Sequence, residues 1–190
     1  MAETYHHGGL RQALICATLE KLAAGEEPPS LREVARAAGV SAMAPYRHFA
    51  DRAALLSAVA DHGFTLLHQH LAAADASGEG GAAVIAQGRA YVDFALANPA
   101  LFRLMFSGEK RGSIPTGETA YDVLSRRVIA IAPHASAPAT LACWGLVHGL
   151  ATLALDGRVA PLEGAAVDAA LTLLVDGLVA GGSTAAPSRA

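Results

Sequence analysis

Between Leu10 and Phe49 the chain sets up a helical apolar spacing three times and breaks it twice, at Gly25-Glu26-Glu27-Pro28-Pro29 and at Gly39. Helical segments this short are marginal alone in water, so they persist only by packing on one another. In the first, 10–24, Leu10, Leu14, Ile15, Leu19 and Leu22 share one side, with Arg11, Gln12, Glu20 and Lys21 largely opposite. Gly25 ends it, and two prolines bar its continuation. Ser30-Leu31-Arg32-Glu33 fits a capping box, in which Ser30 accepts from the Glu33 amide and Glu33 reaches back to Ser30. Leu31, Val34, Ala35 and Ala38 form the second stripe, which Gly39 stops. Ser41 then caps a third short helix ending near Phe49, and Asp51 caps a long fourth one through Leu55, Leu56, Val59, Phe64, Leu67 and Leu71.

This is a helix-turn-helix layout. Ala35 is small where two helices cross, Gly39 takes positive φ in the turn, and Val40 fills the space between them. Pro45 falls in the first turn of the third helix, where backbone N–H groups lack an intrahelical partner, so its cost is small. A rod of about two turns suits a major groove about 12 Å wide.

Beyond residue 74 the stretch ASGEGG reads as a turn, and helical patterns follow over 82–97, 99–107 (Asn98 as cap, Pro99 at the first position), 118–132, 137–156 and 161–180. GEKRGSIPTGE reads as a loop and the last residues as a frayed tail. Hydrophobic residues make up 53% against 16% charged, with far more alanine than β-branched or aromatic residue, and no strand alternation or βαβ unit occurs. The expected fold is all-α: a three-helix module at 1–52, joined by a long helix to a larger helical body at 53–182, with a flexible tail at 183–190.

Several function classes find no support. The net charge of -3 advertises no partner, and residues 1–60 are neutral, with Arg11, Lys21, Arg32, Arg36, Arg47 and Arg52 against Glu3, Glu20, Glu26, Glu27, Glu33 and Asp51. Phosphate binding then requires a segregated face and two modules acting together. Cys16 and Cys143 are read as buried thiols of a reducing compartment, and the N-terminus lacks a signal-type apolar run, which points to the cytoplasm. The uncharged run 128–155 is broken by Pro133, His134, Pro138 and His148, and its cleaner part, 139–155, is short for a membrane span, so an interface helix is expected. His62, His68 and His70 do not share a helical face, and no metal site is expected. No Ser-His-Asp order, phosphate-binding loop or H-E-x-x-H occurs, so neither catalytic residue nor cofactor is expected.

SLREVARAAGVSAMAPYRHFADRAALL (30–56) resembles the DNA-binding segment of TetR-family transcriptional regulators, in which a small residue and Gly-Val precede aromatic-x-His-Phe and then a basic residue leading a long helix. The resemblance covers roughly 5–64. Farther on, Trp144-Gly145-x-x-His148-Gly149 is similar to a tryptophan, histidine and glycine signature in the ligand-binding body of one group of these regulators. The resemblance implies a homodimeric repressor on a palindromic double-stranded DNA operator, released by a small-molecule effector. Pro45 departs from it, since an aliphatic residue is commoner there.

The residues divide by task. The resemblance makes Tyr46 a phosphate contact through its hydroxyl; a half-buried core tyrosine is the alternative. His48, Arg52 beside a helix N-terminus, and the Ser30 cap are further phosphate candidates, each also readable as an ordinary surface residue. Ser41, Ala42, Met43, Ala44 and Arg47 are the base-reading candidates, and a phosphate role for Arg47 stands equally. His6, His7 and Arg11 reach DNA from the N-terminus or form an arm without a role. Trp144 and His148, four apart, face one way and line a pocket, an interface or the core. Tyr91, Phe94, Leu101, Phe102, Met105, Phe106 and Tyr121 are the other candidates for an apolar effector cavity. Leu146, Leu150 and Leu153, with Leu171, Leu174, Val175 and Leu178, are expected at a four-helix dimer interface. The alternative is an all-α small-molecule-binding protein that does not touch DNA.

Overall fold

Helix boundaries fall where short polar side chains and glycines put them. A computed structural model describes residues 7–107 and 117–183. Among them are α1 (His7–Ala23), α2 (Leu31–Ala37), α3 (Arg52–Asp75), α4 (Gly80–Ala97), α5 (Pro99–Phe106), α6 (Ala120–Ile131), α7 (Ser136–Leu155) and α8 (Gly164–Ser183), with 3-10 turns at Ala44–Arg47 and Pro133–Ala135 and no strand. The fold is all-α, as the sequence predicts. The loop residues 108–116, the tail residues 184–190 and His6 lie outside the described residues.

The expected caps are in place. Ser30 Oγ accepts from the Glu33 amide at 3.3 Å, and Ser30 N donates to Glu33 Oε2 at 2.7 Å. Asp51 Oδ1 accepts from the Ala54 amide at 2.8 Å and starts α3. Gly39, at φ 67°, closes α2: its amide donates to the Arg36 carbonyl at 3.2 Å and that of Val40 to the Ala35 carbonyl at 3.0 Å, a Schellman arrangement. Thr119 and Asp122 form a second capping box at the start of α6. Asn98 holds the N-cap position of α5 without a side-chain capping bond.

The third helix is shorter than expected. Instead of two α-turns from Ser41, the chain forms one 3-10 turn whose N-cap is Met43. Pro45 near its start removes a donor, and the His48 and Phe49 amides, each 2.9 Å from the Pro45 carbonyl, end the turn at once. α8 also starts later than Pro161, at Gly164, where the Glu163 carbonyl accepts from the Ala166 amide at 3.0 Å.

The chain forms two compact units, and α3 passes from the first into the second at Phe64 and Thr65. The first holds α1, α2, the 3-10 turn, the start of α3 and α5. Leu14, Ile15, Leu22, Leu31, Val34, Phe49, Leu55 and Val59 are buried there, with Leu101 and Met105 of α5. Gly63 permits a close approach: a Cβ on it would lie 2.7 Å from Met105 Sδ. Cys16, expected to be buried, is exposed, because the apolar side of α1 is taken by its neighbours Leu14 and Ile15.

The second unit is built around α4, which packs against α6, α7 and α8. Val84, Leu124, Val128, Ala132, Ala139, Cys143 and Val175 form one buried cluster. Gly88 lets α8 approach, since a Cβ on it would lie 2.7 Å from both methyls of Leu171. Arg89 of α4 reaches Asp168 of α8 at 2.8 Å. Asp75, the last residue of α3, pairs with Arg127 of α6 and accepts from Gln87 Nε2 of α4 at 2.7 Å. Segments 133–155 and 164–181 are long and apolar enough to cross a membrane. Part of that apolar surface packs inside the unit, through Cys143, Val147, Val167, Leu171 and Val175.

Candidate nucleic-acid interface and core cavity

In the first unit the turn Ala44–Arg47 is fastened from below and open above. Pro45 and Phe49 (3% exposed) are buried, and the Arg11 guanidinium sits 5.3 Å over the Phe49 ring. Met43 is 70% and Tyr46 44% exposed, and Ser41, Ala42 and Arg47 are exposed beside them. Ala44 and His48 are half-buried. Only Ala44 and Arg47 of the five base-reading candidates belong to the helical turn; Ser41, Ala42 and Met43 precede it. Tyr46 therefore presents its ring and hydroxyl at the surface and is not a core tyrosine.

The charges of this unit sort themselves by local bonding. Glu33 is turned onto the Ser30 amide, Asp51 onto the Ala54 amide, and Glu26 onto Lys21 at 2.6 Å. The backbone bond from Ser30 holds the Glu33 carboxyl below its ordinary range. Arg32, Arg36 and Arg47 are exposed, and in sequence the first two register only as charges. Arg52 is engaged: Nη2 donates to the Pro28 carbonyl at 2.7 Å and Nε to that of Pro29 at 3.3 Å, tying the α1–α2 connection to α3. A guanidinium has five N–H groups, so donors remain on it. Ser30 likewise keeps its hydroxyl proton, since its oxygen only accepts in the cap.

The second unit holds a cavity of about 10 Å³, room for about one water, lined by Leu71, Val84, Gln87, Gly88, Tyr91, Leu124, Cys143, Trp144, Val147 and Leu171. Tyr91 and Trp144 are edge to face at 5.1 Å, and Tyr121 meets Trp144 at 5.6 Å. The Tyr91 hydroxyl and His148 Nδ1 are hydrogen-bonded at 2.9 Å. Burial raises the Tyr91 pKa and lowers that of His148, favouring the neutral pair. Four of the predicted cavity residues are thus brought together, Tyr91 and Trp144 in the wall itself, Tyr121 against Trp144 and His148 against Tyr91.

The others are not. Phe94 is buried beside the His70 ring, 5.5 Å away, and does not line the cavity. Phe102, Met105 and Phe106 belong to the first unit, where Phe106 packs on Phe102 at 4.8 Å and on Phe64 at 5.4 Å. Sequence reasoning missed Gln87 and Cys143. The signal for Gln87 was a single amide inside the apolar run VIAQGRAYV.

Of the residues expected at a dimer interface, Leu171 and Val175 are core residues of this chain, 1% and 3% exposed; Gly88 and Gly81 make room for them on α4. Leu146, Leu150, Leu174 and Leu178 are half-buried and Leu153 is exposed. Leu141 (64%) and Leu173 (79%), not foreseen, are the most exposed leucines on α7 and α8. His68 Nε2 lies 3.6 Å from Glu118, and among the described residues no three metal-binding side chains converge.

Comparison with known proteins agrees with this architecture. Residues 23–59 match the family model of bacterial regulatory proteins, tetR family, and 84–178 that of the tetracyclin repressor-like C-terminal domain. A protein of unknown function from Rhodococcus sp. RHA1 is 31% identical, with TM-score 0.73 over 94% of this chain and 100% of that one. A TetR family transcription regulator from Marinobacter aquaeolei VT8 is 17% identical, with TM-score 0.63 over 87% and 93% of the two chains. A substituted TetR from Acinetobacter baumannii AYE, solved in complex with minocycline, is 21% identical, with TM-score 0.60 over 90% and 95%. No curated protein matches the chain. With family models covering both its helix-turn-helix and its helical body, the chain belongs to the TetR family of DNA-binding transcriptional regulators, which are not enzymes.

Proposed function

We propose that the protein is a cytoplasmic homodimeric repressor that leaves a palindromic operator when a small molecule enters its helical body. The observation that carries this reading is the exposure of Met43 and Tyr46 on a turn whose Pro45 and Phe49 are buried: side chains able to reach DNA stand on a fixed base. Tyr46, His48, Arg52 and Ser30 serve as phosphate contacts, while Ser41, Ala42, Met43, Ala44 and Arg47 read base edges. The functional division follows 1–52 for DNA and 53–182 for ligand and dimer. Exposed Leu141, Leu153 and Leu173, with half-buried Leu146, Leu150, Leu174 and Leu178, supply the apolar face that a second copy covers.

Two such turns enter successive major grooves about 34 Å apart. An effector that prefers another spacing shifts the population away from DNA, without chemistry. A minocycline complex of an A. baumannii relative supports a small-molecule effector, and the cluster of Tyr91, Tyr121, Trp144 and His148 is where we place it in this chain. Selecting bound duplexes from a random pool tests the reading, with affinity then measured against salt. A steep negative slope and a palindromic consensus are expected, whereas salt-indifferent binding, or none, leaves the all-α binding protein without a DNA role.

A further inference from the structure

We infer that Arg11, on α1, is a further DNA contact of this protein, donating to a backbone phosphate beside the Ala44–Arg47 turn. The inference rests on the reading of that turn as the DNA-facing element, and adds to it a residue from outside the two helices that the motif comprises. α1 packs against both α2 and the 3-10 turn. The Arg11 guanidinium sits 5.3 Å over the ring of Phe49, whose amide donates to the Pro45 carbonyl. Its charge is therefore held against the same turn that exposes Tyr46 and Arg47.

The condition of this guanidinium suits a phosphate. Arg11 is exposed, and among the described residues no carboxylate pairs with it. Glu33, Asp51 and Glu26 of the same unit are turned onto Ser30, Ala54 and Lys21 instead. A ring attracts the cation through its π face and takes up no carboxylate, so N–H groups remain for a bidentate phosphate. Phe49 is only 3% exposed, and an arginine resting on a fixed ring has fewer orientations to lose on binding than a free one. The other cations differ. Lys21 is paired with Glu26, and Arg52 donates to the Pro28 and Pro29 carbonyls. Arg32 and Arg36 are exposed, but among the described residues no ring holds them in place. A module that is neutral overall binds phosphate only where its cations are gathered, and Arg11 brings one to the turn from α1. The competing role is purely structural: Arg11 steadies Phe49 and touches no DNA.

The test compares the full chain with Arg11→Gln and Arg11→Lys on a duplex recovered from a random pool and on one of unrelated sequence. Affinity is measured from about 50 to 200 mM salt, with thermal midpoints read on the same samples. Arg11→Gln is expected to weaken both duplexes about fivefold, and to make the slope of log affinity against log salt shallower by about 1 for each chain bound. Arg11→Lys keeps the charge and recovers most of the slope, which a stacking role alone would not require. An unchanged slope in Arg11→Gln overturns the inference, as does a loss that only follows a lower thermal midpoint. A changed preference between the duplexes overturns it too, because it would make Arg11 a reader of bases. Tyr46→Phe on the same duplexes separates the readings: weaker binding there with Arg11→Gln unaltered sinks this inference alone, whereas a native chain that binds no duplex sinks the DNA-facing turn and Arg11 with it.

Discussion

The Phe49 amide donates to the Pro45 carbonyl at 2.9 Å, and both side chains are buried while Tyr46 and Arg47 between them are exposed. The turn is therefore held at its two apolar ends and free to act in the middle. Removing the Tyr46 hydroxyl leaves this frame untouched. Tyr46→Phe is expected to weaken binding to every duplex alike, by about 1 kcal/mol, whereas Met43→Ala changes which duplex is preferred. Competition binding over a panel of selected duplexes checks both, and an altered preference in Tyr46→Phe would contradict the division of labour.

Phe49→Ala attacks the frame itself. It deletes a buried ring, 3% exposed, on which the Arg11 guanidinium rests. A loss of about 3 kcal/mol or more in denaturant unfolding is expected, with DNA binding reduced in proportion to the unfolded fraction. Full stability in this variant would show that the turn is fastened elsewhere.

How much of this was legible in the sequence depends on how local the cause is. The Ser30–Glu33 box, the Asp51 cap and the positive φ of Gly39 each involve residues within a few positions, and each is where the pattern puts it. The α-helix expected from Ser41 is a 3-10 turn because the donor missing at Pro45 matters more in a segment of one turn than in a longer helix. The cavity was half legible: Trp144 and His148 share a face by spacing, but no spacing reveals which of the aromatic and methionine candidates meet across helices. Phe102, Met105 and Phe106 look alike in sequence to Tyr91 and Tyr121, and packing assigns them to the first unit. Leu171 and Val175 differ from Leu173 only in which side of α8 faces α4, a property of the neighbour and not of the stripe.

Asp75 joins three helices, since it ends α3, accepts from Gln87 of α4 and pairs with Arg127 of α6. The Arg127 hydrogen bond, opposed by burial, holds its carboxyl below the ordinary range. A carboxylate depressed in the folded state stabilises above its unfolded pKa of about 3.9, and this stability is lost as pH falls through the folded value. Asp75→Ala leaves Gln87 Nε2 without its acceptor and strips the half-buried Arg127 of the carboxylate, keeping only the backbone carbonyl of residue 75, and is expected to cost about 2 kcal/mol near neutrality. The variant should also lose part of the wild-type decline in stability below about pH 4. Denaturant midpoints across that range check it, and identical acid profiles would remove Asp75 from the account.

The exposed leucines on α7 and α8 make a prediction about assembly. Leu173, at 79% exposure, and Leu141, at 64%, contribute little to the packing of their own chain, so a charge at either costs little in the monomer. Leu171, two residues away, is 1% exposed, and a Cβ on Gly88 would reach both of its methyls. Leu173→Glu is expected to leave the thermal midpoint of the isolated chain within about 0.5 kcal/mol of the original in equivalent stability, but to shift the solution mass toward monomer. On the proposed palindromic operator one turn would contact only half the site, so affinity for it should fall steeply with the loss of the dimer. Gly88→Ala is the opposite case, losing about 1–3 kcal/mol of stability through overpacking against Leu171. Light-scattering mass against protein concentration, run beside unfolding curves for both variants, separates the two faces of α8. A Leu173→Glu chain that remains dimeric at low micromolar concentration would place the interface away from this face.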